Sequence, residues 1–373
     1  MKYLISIFFV CSLLTAYCQT TTSINHDGVD RDFVYYTPTT WNSGQQLPLL
    51  IVLHGLTQTG SGLMGITDFN DIAEANNFIV CYPDGINNAW NANMNITVST
   101  ADDLGFIEEL AAYFQNTLNT DPLKQYLCGF SSGGFMSHKV ACESSQCFAA
   151  IATVSGNMSD TVDMNCNPSH SPSVLHIHGT ADPVVSYFGS PTTGVAVETT
   201  IEKWRIFLGC DAVPVTTDMP NNNLFDFSYP QHIEYQNCGN SSLELIKIIG
   251  GGHQWPGIPT LIGGLGNINM DFYSPQVIWE FLDGKSCPST SEVVENDGFN
   301  IEVSPNPVEN TLYIETNSSF ESAIIYDLRG GILFNFNHSS SSFSVDVSSL
   351  SSGMYFLVIV KHNKIVQEKF TKI

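Results

Sequence analysis

Basic residues are scarce in this sequence. The 373 residues include 13 lysines and arginines against 36 aspartates and glutamates, and the formal net charge is −23. A surface this acidic repels nucleic-acid phosphates and anionic lipid headgroups, because like charges oppose close approach. We therefore expect neither nucleic acid nor a membrane surface as a partner. The charge favours solubility and does not indicate a reaction.

Long apolar runs are missing beyond the first residues. Residues 1–18 begin with Lys2, continue in a short apolar run and end in an A-x-C sequence at Cys18, the pattern of a cleaved secretory signal peptide. A lipoprotein cysteine at Cys18 is the alternative, and the bulky Tyr17 before it argues against that. No later run approaches the roughly 20 apolar residues of a transmembrane helix. We therefore expect no integral membrane segment in the mature chain.

Closely paired C-x-x-C motifs are absent, which makes a structural zinc site unexpected. Eight of the ten cysteines lie beyond residue 18, and an even number in an exported chain indicates disulfides. We expect a free buried thiol at Cys128. The expected pairs are Cys210–Cys238 and Cys142–Cys166, with Cys142–Cys147 as a local alternative.

The chain after the signal peptide falls into two parts. Residues 19–288 alternate strand-like and helix-like segments, which indicates an α/β fold with a mainly parallel sheet covered on both faces. Residues 289–300 are polar and acidic, as in a linker. In residues 301–373 short strand patterns are separated by Asn, Ser and Gly, which predicts a small all-β sandwich.

Apolar runs and helical periodicity locate the elements of the first part, and ligands bind such sheets beyond the carboxyl ends of the strands. The predicted strands are Leu47–Leu53, Phe78–Tyr82, Tyr126–Cys128, Phe148–Val154, Val174–His178 and Leu243–Ile249. One predicted helix opens at Asp102 and Asp103. The other predicted helices are Gly133–Cys142, Ile201–Leu208 and Pro275–Leu282.

A G-x-S-x-G sequence, residues 129–133, lies between a predicted strand and a predicted helix. That context is what a nucleophilic serine needs: a sharp, strained turn that projects its Oγ out of the sheet, with glycines that let backbone and helix close in. Ser131 meets both conditions, whereas Ser132 and Ser137 do not. We therefore expect Ser131 to be the nucleophile of a serine esterase of the α/β-hydrolase type.

The partners of such a serine follow in the order acid, then histidine. Asp182 comes just after the strand ending at His178, where its carboxylate could hold an imidazole in one tautomer. His253 follows another strand on a loop with three preceding glycines, as suits a general base. We expect Ser131, Asp182 and His253 to form a catalytic triad.

The developing oxyanion needs two backbone donors. We expect one from Ser132 and the other from Leu56, with Thr57 as the alternate. Aromatic residues near these loops are candidates for the acyl pocket, although plain core packing is an equal alternative. They are Trp255, Trp90, Phe130 and Tyr187.

Residues 23 to about 285 resemble the polyhydroxybutyrate depolymerase-like and feruloyl esterase group of carbohydrate esterase family one. The resemblance implies an α/β-hydrolase fold, the same triad, no cofactor, and either hydroxycinnamoyl or acetyl esters of plant polysaccharide or poly-hydroxyalkanoate oligomers as substrates. Cys128 departs from the family, where a small Thr-like residue is more usual. The matching stretches are residues 53–55, 82–85, 102–107, 129–134, 178–182 and 251–257.

Residues 301–373 resemble the type A sorting domain of type IX secretion, found in Bacteroidetes. The resemblance implies the secretion machinery as a partner, export across two membranes, and a mature chain that is extracellular or attached to the cell surface after removal of the tail. A small β interaction module is the alternative. The matching stretches are residues 304–307, 312–314, 326–330 and 350–356, with Lys369 and Lys372.

Two other classes of function remain open on the sequence. His176 and His178 point to the same side of a strand and Asp182 follows, so the three could serve a metal-dependent hydrolase. A polysaccharide-binding protein that has lost catalysis is the other alternative, but the three triad positions hold chemically competent residues. A serine esterase on plant polysaccharide is the expected function, with polyhydroxybutyrate depolymerase as its closest alternative.

Overall fold

The computed structural model describes residues 19–259, 265–288, 301–320, 322–326, 332–337, 341–361 and 364–373. It divides into two compact units, Met1–Cys287 and Pro288–Ile373. The predicted signal peptide, residues 1–18, and the predicted linker, residues 289–300, lie outside the described residues. Among the helices of the described ranges, none is both long and apolar enough to cross a bilayer.

Ten strands of the first unit form one sheet in the order β1-β2-β4-β3-β5-β6-β7-β10-β9-β8. The six central strands, from β4 to β10, pair in parallel, and antiparallel strands flank them at both edges. The strands are β1 (Gln19–His26), β2 (Val29–Tyr36), β3 (Leu47–Leu53), β4 (Ile79–Pro83), β5 (Thr120–Phe130), β6 (Ala150–Val154), β7 (Ser173–Gly179), β8 (Val215–Asp218), β9 (Tyr229–Tyr235) and β10 (Leu243–Ile249).

The continuous apolar run of β3 is explained by its place in the middle of this sheet. Leu49 and Ile51 enter one buried cluster, and Leu50 and Val52 enter a second. Successive strand side chains point to opposite faces, so a strand covered on both faces must be apolar at every position. The sheet is therefore the middle layer between two helical layers.

Helices cover the sheet on both faces. The first buried cluster includes side chains of α3, α4, α5 and α6, and the second includes side chains of α1, α2 and α7. The helices are α1 (Gly60–Thr67), α2 (Phe69–Asn76), α3 (Asp103–Leu118), α4 (Ser132–Glu143), α5 (Asp160–Asn165), α6 (Val197–Leu208) and α7 (Ser274–Leu282).

The start of α3 shows how closely local chemistry sets an element boundary. Asp102 is its N-cap, and the side chain accepts a hydrogen bond from Gly105 N at 3.0 Å. A carboxylate at this position satisfies an otherwise unpaired backbone N–H and faces the positive end of the helix dipole. The helix predicted to open at this point is therefore confirmed.

Three disulfides cross-link the described part of the first unit. Cys142–Cys166 and Cys210–Cys238 are the two pairs that the sequence predicts. The local alternative, Cys142–Cys147, is wrong, because Cys147 is bonded to Cys287 across 140 residues of chain. Cys128 is a free buried thiol, as predicted, and so is Cys81.

The second unit has two antiparallel sheets, with strand orders β11-β12-β15 and β14-β13-β16-β17. Both sheets contribute to one buried cluster, for example through Leu312 and Ile325. Such shared burial is what the predicted sandwich requires. The strands are β11 (Ile301–Ser304), β12 (Thr311–Thr316), β13 (Ser322–Tyr326), β14 (Ile332–Asn337), β15 (Ser342–Asp346), β16 (Gly353–Lys361) and β17 (Lys364–Lys372).

Candidate active site

Ser131 stands on the turn between β5 and α4. Its backbone has φ +53° and ψ −120°, a conformation that non-glycine residues rarely adopt. The turn is held by the Ser131 N–H, which donates to the carbonyl of Val154 on the neighbouring strand at 2.9 Å. The side chain is half-buried, so its hydroxyl is both positioned and accessible. This is the strained turn that the G-x-S-x-G sequence predicts.

The two glycines of the motif permit close backbone contacts around Ser131. A Cβ atom added to Gly129 would lie 2.1 Å from the carbonyl oxygen of Gly133, and one added to Gly133 would lie 2.2 Å from that of Leu53. Both distances are far inside van der Waals contact with backbone atoms that cannot rotate away. Glycine at these positions therefore allows α4 to start directly beneath β3 and β5.

We expect Gly133→Ala to destabilise the first unit by about 1–3 kcal/mol, because the new methyl group must push the backbone of β3 aside. Urea unfolding followed by tryptophan fluorescence measures this unit alone, since all five tryptophans precede residue 288. Gly65→Ala is the matched control: apart from its chain neighbours and its own helix backbone, this helical glycine has no atom within 4 Å of the added Cβ. Equal stability of the two variants would contradict the close approach.

His253 and Asp182 complete a hydrogen-bonded series with Ser131. His253 Nε2 lies 2.9 Å from Ser131 Oγ, and His253 Nδ1 lies 2.8 Å from Asp182 Oδ2. An ionised carboxylate can only accept, so Nδ1 carries the proton and Nε2 is left to accept from the serine hydroxyl. The structure thus brings together the three side chains that the sequence predicts, from positions 51 and 71 residues apart in the chain.

Asp182 accepts three hydrogen bonds and has a further ring nitrogen nearby. Its Oδ1 accepts from the backbone N–H groups of Val184 and Val185 at 2.8 and 2.7 Å. Its Oδ2 accepts from His253 and lies 3.4 Å from His178 Nε2. Burial raises the pKa of Asp182, but hydrogen bonds and attraction from His178 and His253 outweigh it and hold the pKa well below its usual range. The carboxylate therefore stays ionised in mildly acidic solution.

The loop after β3 lies directly beside the nucleophile. A Cβ atom added to Gly55 would be 3.4 Å from Ser131 Cβ. Leu56 follows, and it is exposed. The Thr57 N–H donates to the carbonyl of Asn88 at 2.9 Å. The alternate oxyanion donor, Thr57, is therefore wrong, because its N–H is already engaged within the protein.

Ser132 is the first residue of α4, the place where helical N–H groups have no partner inside the helix. Its N–H directly follows the nucleophile in the chain, as an oxyanion donor must. The positive end of the helix dipole adds to the attraction for a developing negative charge. Ser132 and Leu56 remain the two predicted donors.

His54 positions this loop, a role that the sequence analysis does not assign. Its ring is fully buried: Nε2 accepts from Gly85 N at 2.9 Å, and Nδ1 donates to the carbonyl of Gly55 at 2.8 Å. Burial lowers the pKa of His54, which keeps the ring neutral and able to make both bonds. Its position directly before Gly55, at the end of a buried strand, is the signal that could have indicated this role.

Two of the four predicted pocket aromatics lie at the site. The centroid of the Phe130 ring is 4.9 Å from that of His253. Phe130 is also stacked on Trp255, with 5.7 Å between the ring centroids. Trp90 is fully buried and donates its indole N–H to the carbonyl of His54 at 2.9 Å. Tyr187 is buried against the His178 ring at 6.0 Å. Trp90 packs on His54 and Tyr187 packs on His178, so both fit the core-packing alternative rather than the pocket.

The metal site considered for His176, His178 and Asp182 does not fit the structure. Both nitrogens of His176 lie within 3.1 Å of polar atoms of the protein, and His178 Nε2 lies 2.8 Å from the carbonyl of Val185. Both ring nitrogens of His176 and of His178 are therefore already hydrogen-bonded within the protein. Elsewhere among the described residues, His26, Asp27 and Asp102 could place ligand atoms together, but both carboxylates are exposed and His26 Nδ1 is bonded to Glu109.

Two family matches divide the chain as the structure does. Residues 25–184 match the family described as "Putative esterase", and residues 302–372 match a secretion system C-terminal sorting domain. The esterase match lies wholly within the first unit. The match includes Ser131 and Asp182, while His253 lies beyond it, so the structure is what places the histidine in the site.

The first unit is similar to named proteins of fungi. The chain is 28% identical over 238 residues to feruloyl esterase B of Piromyces equi, a match that covers 60% of this chain and 42% of that protein. It is 25% identical over 228 residues to the bifunctional acetylxylan esterase/xylanase XynS20E of Neocallimastix patriciarum, covering 57% of this chain and 31% of that protein. The chain thus spans less than half the length of both relatives.

A solved structure supports the fold. The acetyl xylan esterase from Aspergillus awamori superposes with a TM-score of 0.51 at 17% identity, covering 71% of this chain and 98% of the other. At this identity the similarity concerns the fold alone, which is the α/β-hydrolase type expected for the first unit. It does not assign a substrate.

Proposed function

We propose that this chain is an exported serine carboxylic ester hydrolase that works through an acyl-enzyme. The observation that carries the proposal is the hydrogen-bonded series from Asp182 through His253 to Ser131, with the serine on a strained turn. Nucleophile, base and orienting acid in this geometry are the requirements for acyl transfer. The esterase-family match of residues 25–184 supports the same chemistry.

In the first half of the reaction, Ser131 Oγ attacks the ester carbonyl and His253 Nε2 takes the hydroxyl proton. The backbone N–H groups of Ser132 and Leu56 stabilise the oxyanion, and the alcohol leaves with the proton from His253. In the second half, water attacks the acyl-enzyme by the same steps in the same order. Asp182 stays ionised and stabilises the imidazolium in both halves.

We propose feruloyl or acetyl esters of plant polysaccharide as substrates. The named relatives, a feruloyl esterase and an acetylxylan esterase, support this choice. The Phe130 ring packs on His253 and the Trp255 ring packs on Phe130, so two buried aromatic rings lie next to the proposed base. Depolymerisation of polyhydroxybutyrate is the other activity of the group that the sequence resembles, and no feature of the site specifically supports it.

A substrate panel tests the proposal. We expect methyl ferulate or acetylated xylan to be hydrolysed with kcat/KM about tenfold or more above that for hydroxybutyrate oligomers, because a pocket shaped for one acyl group discriminates by such factors. Preference for the oligomers would instead support a depolymerase. Activity should survive EDTA and be lost after a fluorophosphonate, whereas the reverse would indicate a metal-dependent hydrolase. No turnover even of p-nitrophenyl acetate would indicate a non-catalytic binding protein.

We also propose that residues 301–373 direct type IX export, after which the tail is removed and the enzyme is released or held at the cell surface. The sorting-domain match to residues 302–372 supports this route. Six cysteines of the first unit form disulfides, as is common in proteins of an oxidising compartment.

A further inference from the structure

A chain of buried polar side chains runs beneath the proposed active site. It contains His138 on α4, Thr153 on β6, and His176 and His178 on β7, all without exposed surface. Trp204 Nε1 lies 3.1 Å from His138 Nδ1 at one end. Thr153 Oγ1 lies 3.4 Å from His138 Nε2 and 2.7 Å from His176 Nδ1. His176 Nε2 is then 3.1 Å from His178 Nδ1.

The two ends of this chain determine the direction of every bond in it. The Trp204 indole can only donate, so His138 Nδ1 accepts and its proton is on Nε2. Burial, opposed in part by a backbone hydrogen bond to Gly156, lowers the pKa of His138 to about 3, and burial lowers that of His176 well below its usual range. Each of these two rings therefore carries one proton.

The other end is a backbone carbonyl, which can only accept. His178 Nε2 lies 2.8 Å from the carbonyl oxygen of Val185 and must donate to it. The arrangement that gives every group a partner has the Thr153 hydroxyl donating to His176 Nδ1 and His176 Nε2 donating to His178 Nδ1. If these bonds ran the other way, His176 Nδ1 would donate to Thr153 Oγ1. The Thr153 hydroxyl proton would then point at the Nε2–H of His138, and the two protons would repel each other.

His178 contacts the turn that carries Asp182 at two points. Its Nε2–H donates to the carbonyl of Val185, whose own N–H donates to Asp182 Oδ1 at 2.7 Å. The same Nε2 lies 3.4 Å from Asp182 Oδ2, the oxygen that His253 Nδ1 also reaches. If the proton were on Nδ1 of His178, a lone pair would face both oxygens and repel them. The position of Asp182 therefore depends on the tautomer of His178.

We propose that His178 is a positioning residue for Asp182, and that the chain from Trp204 through His138, Thr153 and His176 sets the tautomer in which it acts. This proposal rests on the function proposed above, in which Asp182 orients the base. In that mechanism His178 contacts no reacting atom. It holds the Asp182 carboxylate within hydrogen-bonding distance of His253. A misplacement of about 1 Å in such a support can cost about 100-fold in rate.

The tautomer can be measured without any substrate. In the full-length chain labelled with ¹⁵N-histidine, two-bond ¹⁵N–¹H correlation should show a protonated Nε2 and an unprotonated Nδ1 for His138, His176 and His178. A proton on Nδ1 of His178 would overturn the proposal. Because this readout is independent of activity, it also separates a failure of this inference from a failure of the proposed esterase function.

Two substitutions at His178 measure the kinetic consequence. We expect His178→Leu, which has no donor, to lower kcat by about 10- to 100-fold with KM within about threefold, per active site titrated with a fluorophosphonate. His178→Gln, which can return an N–H near the Nε2 position, should recover most of that loss. Equal kcat for the leucine and glutamine variants would overturn the proposal.

A double-mutant cycle separates positioning from general structural support. Because His178 acts through Asp182, adding His178→Leu to an Asp182→Asn background should lower kcat by less than about threefold further. A merely structural role predicts that the two losses multiply, and that result would contradict the proposal.

Discussion

Replacing Ser131 by alanine is expected to lower kcat for a soluble ester by about 10⁶-fold. The variant keeps the backbone donors and the orienting pair Asp182–His253, but it has no atom that can form the acyl-enzyme. Binding is little affected, so the loss appears in kcat rather than in KM. Steady-state hydrolysis of p-nitrophenyl acetate, corrected for the uncatalysed rate, measures the change.

Ser137→Ala is the matched control for this loss. Ser137 lies on α4, which Ser131 precedes, and its hydroxyl donates to the carbonyl of Gly133 at 2.9 Å. Its removal should leave kcat within about threefold, since an intrahelical side-chain bond of this kind contributes little net stability. Ser131→Ala activity within tenfold of the unmodified chain would refute Ser131 as the nucleophile.

Asp182→Asn is expected to lower kcat by about 10⁴-fold at neutral pH, the effect that a wrong imidazole tautomer has in such triads. The amide oxygen would stay on the N–H groups of Val184 and Val185, which turns the NH₂ group toward His253 Nδ1. His253 would then accept at Nδ1 and carry its proton on Nε2. A protonated Nε2 cannot take the proton of Ser131.

The control for this substitution is Asp211→Asn. Asp211 is an exposed carboxylate that accepts from the Asn237 side chain, and its neutralisation should change kcat by less than about twofold. A loss of less than about 100-fold in Asp182→Asn, with the variant folded by tryptophan fluorescence, would contradict the assigned role of the acid.

Sequence alone locates Ser131, Asp182 and His253 because each residue leaves a local trace. Ser131 needs flanking glycines at fixed spacing, and the backbone contacts of Gly129 and Gly133 show why no other residue serves there. Asp182 and His253 each follow a strand whose apolar run is visible in the sequence. Parallel strands end at the same edge of the sheet, so these residues meet although they are far apart in the chain.

The failed predictions concern contacts that leave no local trace. The Thr57 N–H donates to the carbonyl of Asn88, and Thr57 has φ +68°, a conformation that its side chain does not favour. The Trp90 side chain is buried, and its indole N–H donates to the carbonyl of His54. The Cys147–Cys287 bond depends on how the end of the unit returns to the sheet, which spacing does not reveal.

His178 is an intermediate case. Its spacing from His176 correctly predicts that the two rings lie on one side of β7, and the rings are stacked at 5.3 Å. The same pattern fits a metal site equally well. Only the neighbouring donors and acceptors, Thr153 and the carbonyl of Val185, distinguish a hydrogen-bonded chain from a set of ligands.

The most direct test of a covalent mechanism is to find the covalent bond. After reaction of the full-length chain with a fluorophosphonate, intact mass spectrometry should show a single adduct, and peptide mapping should place it on the side chain of residue 131. A chain that hydrolyses esters at full rate while that position stays unlabelled, or that carries the label on another residue, would contradict the account.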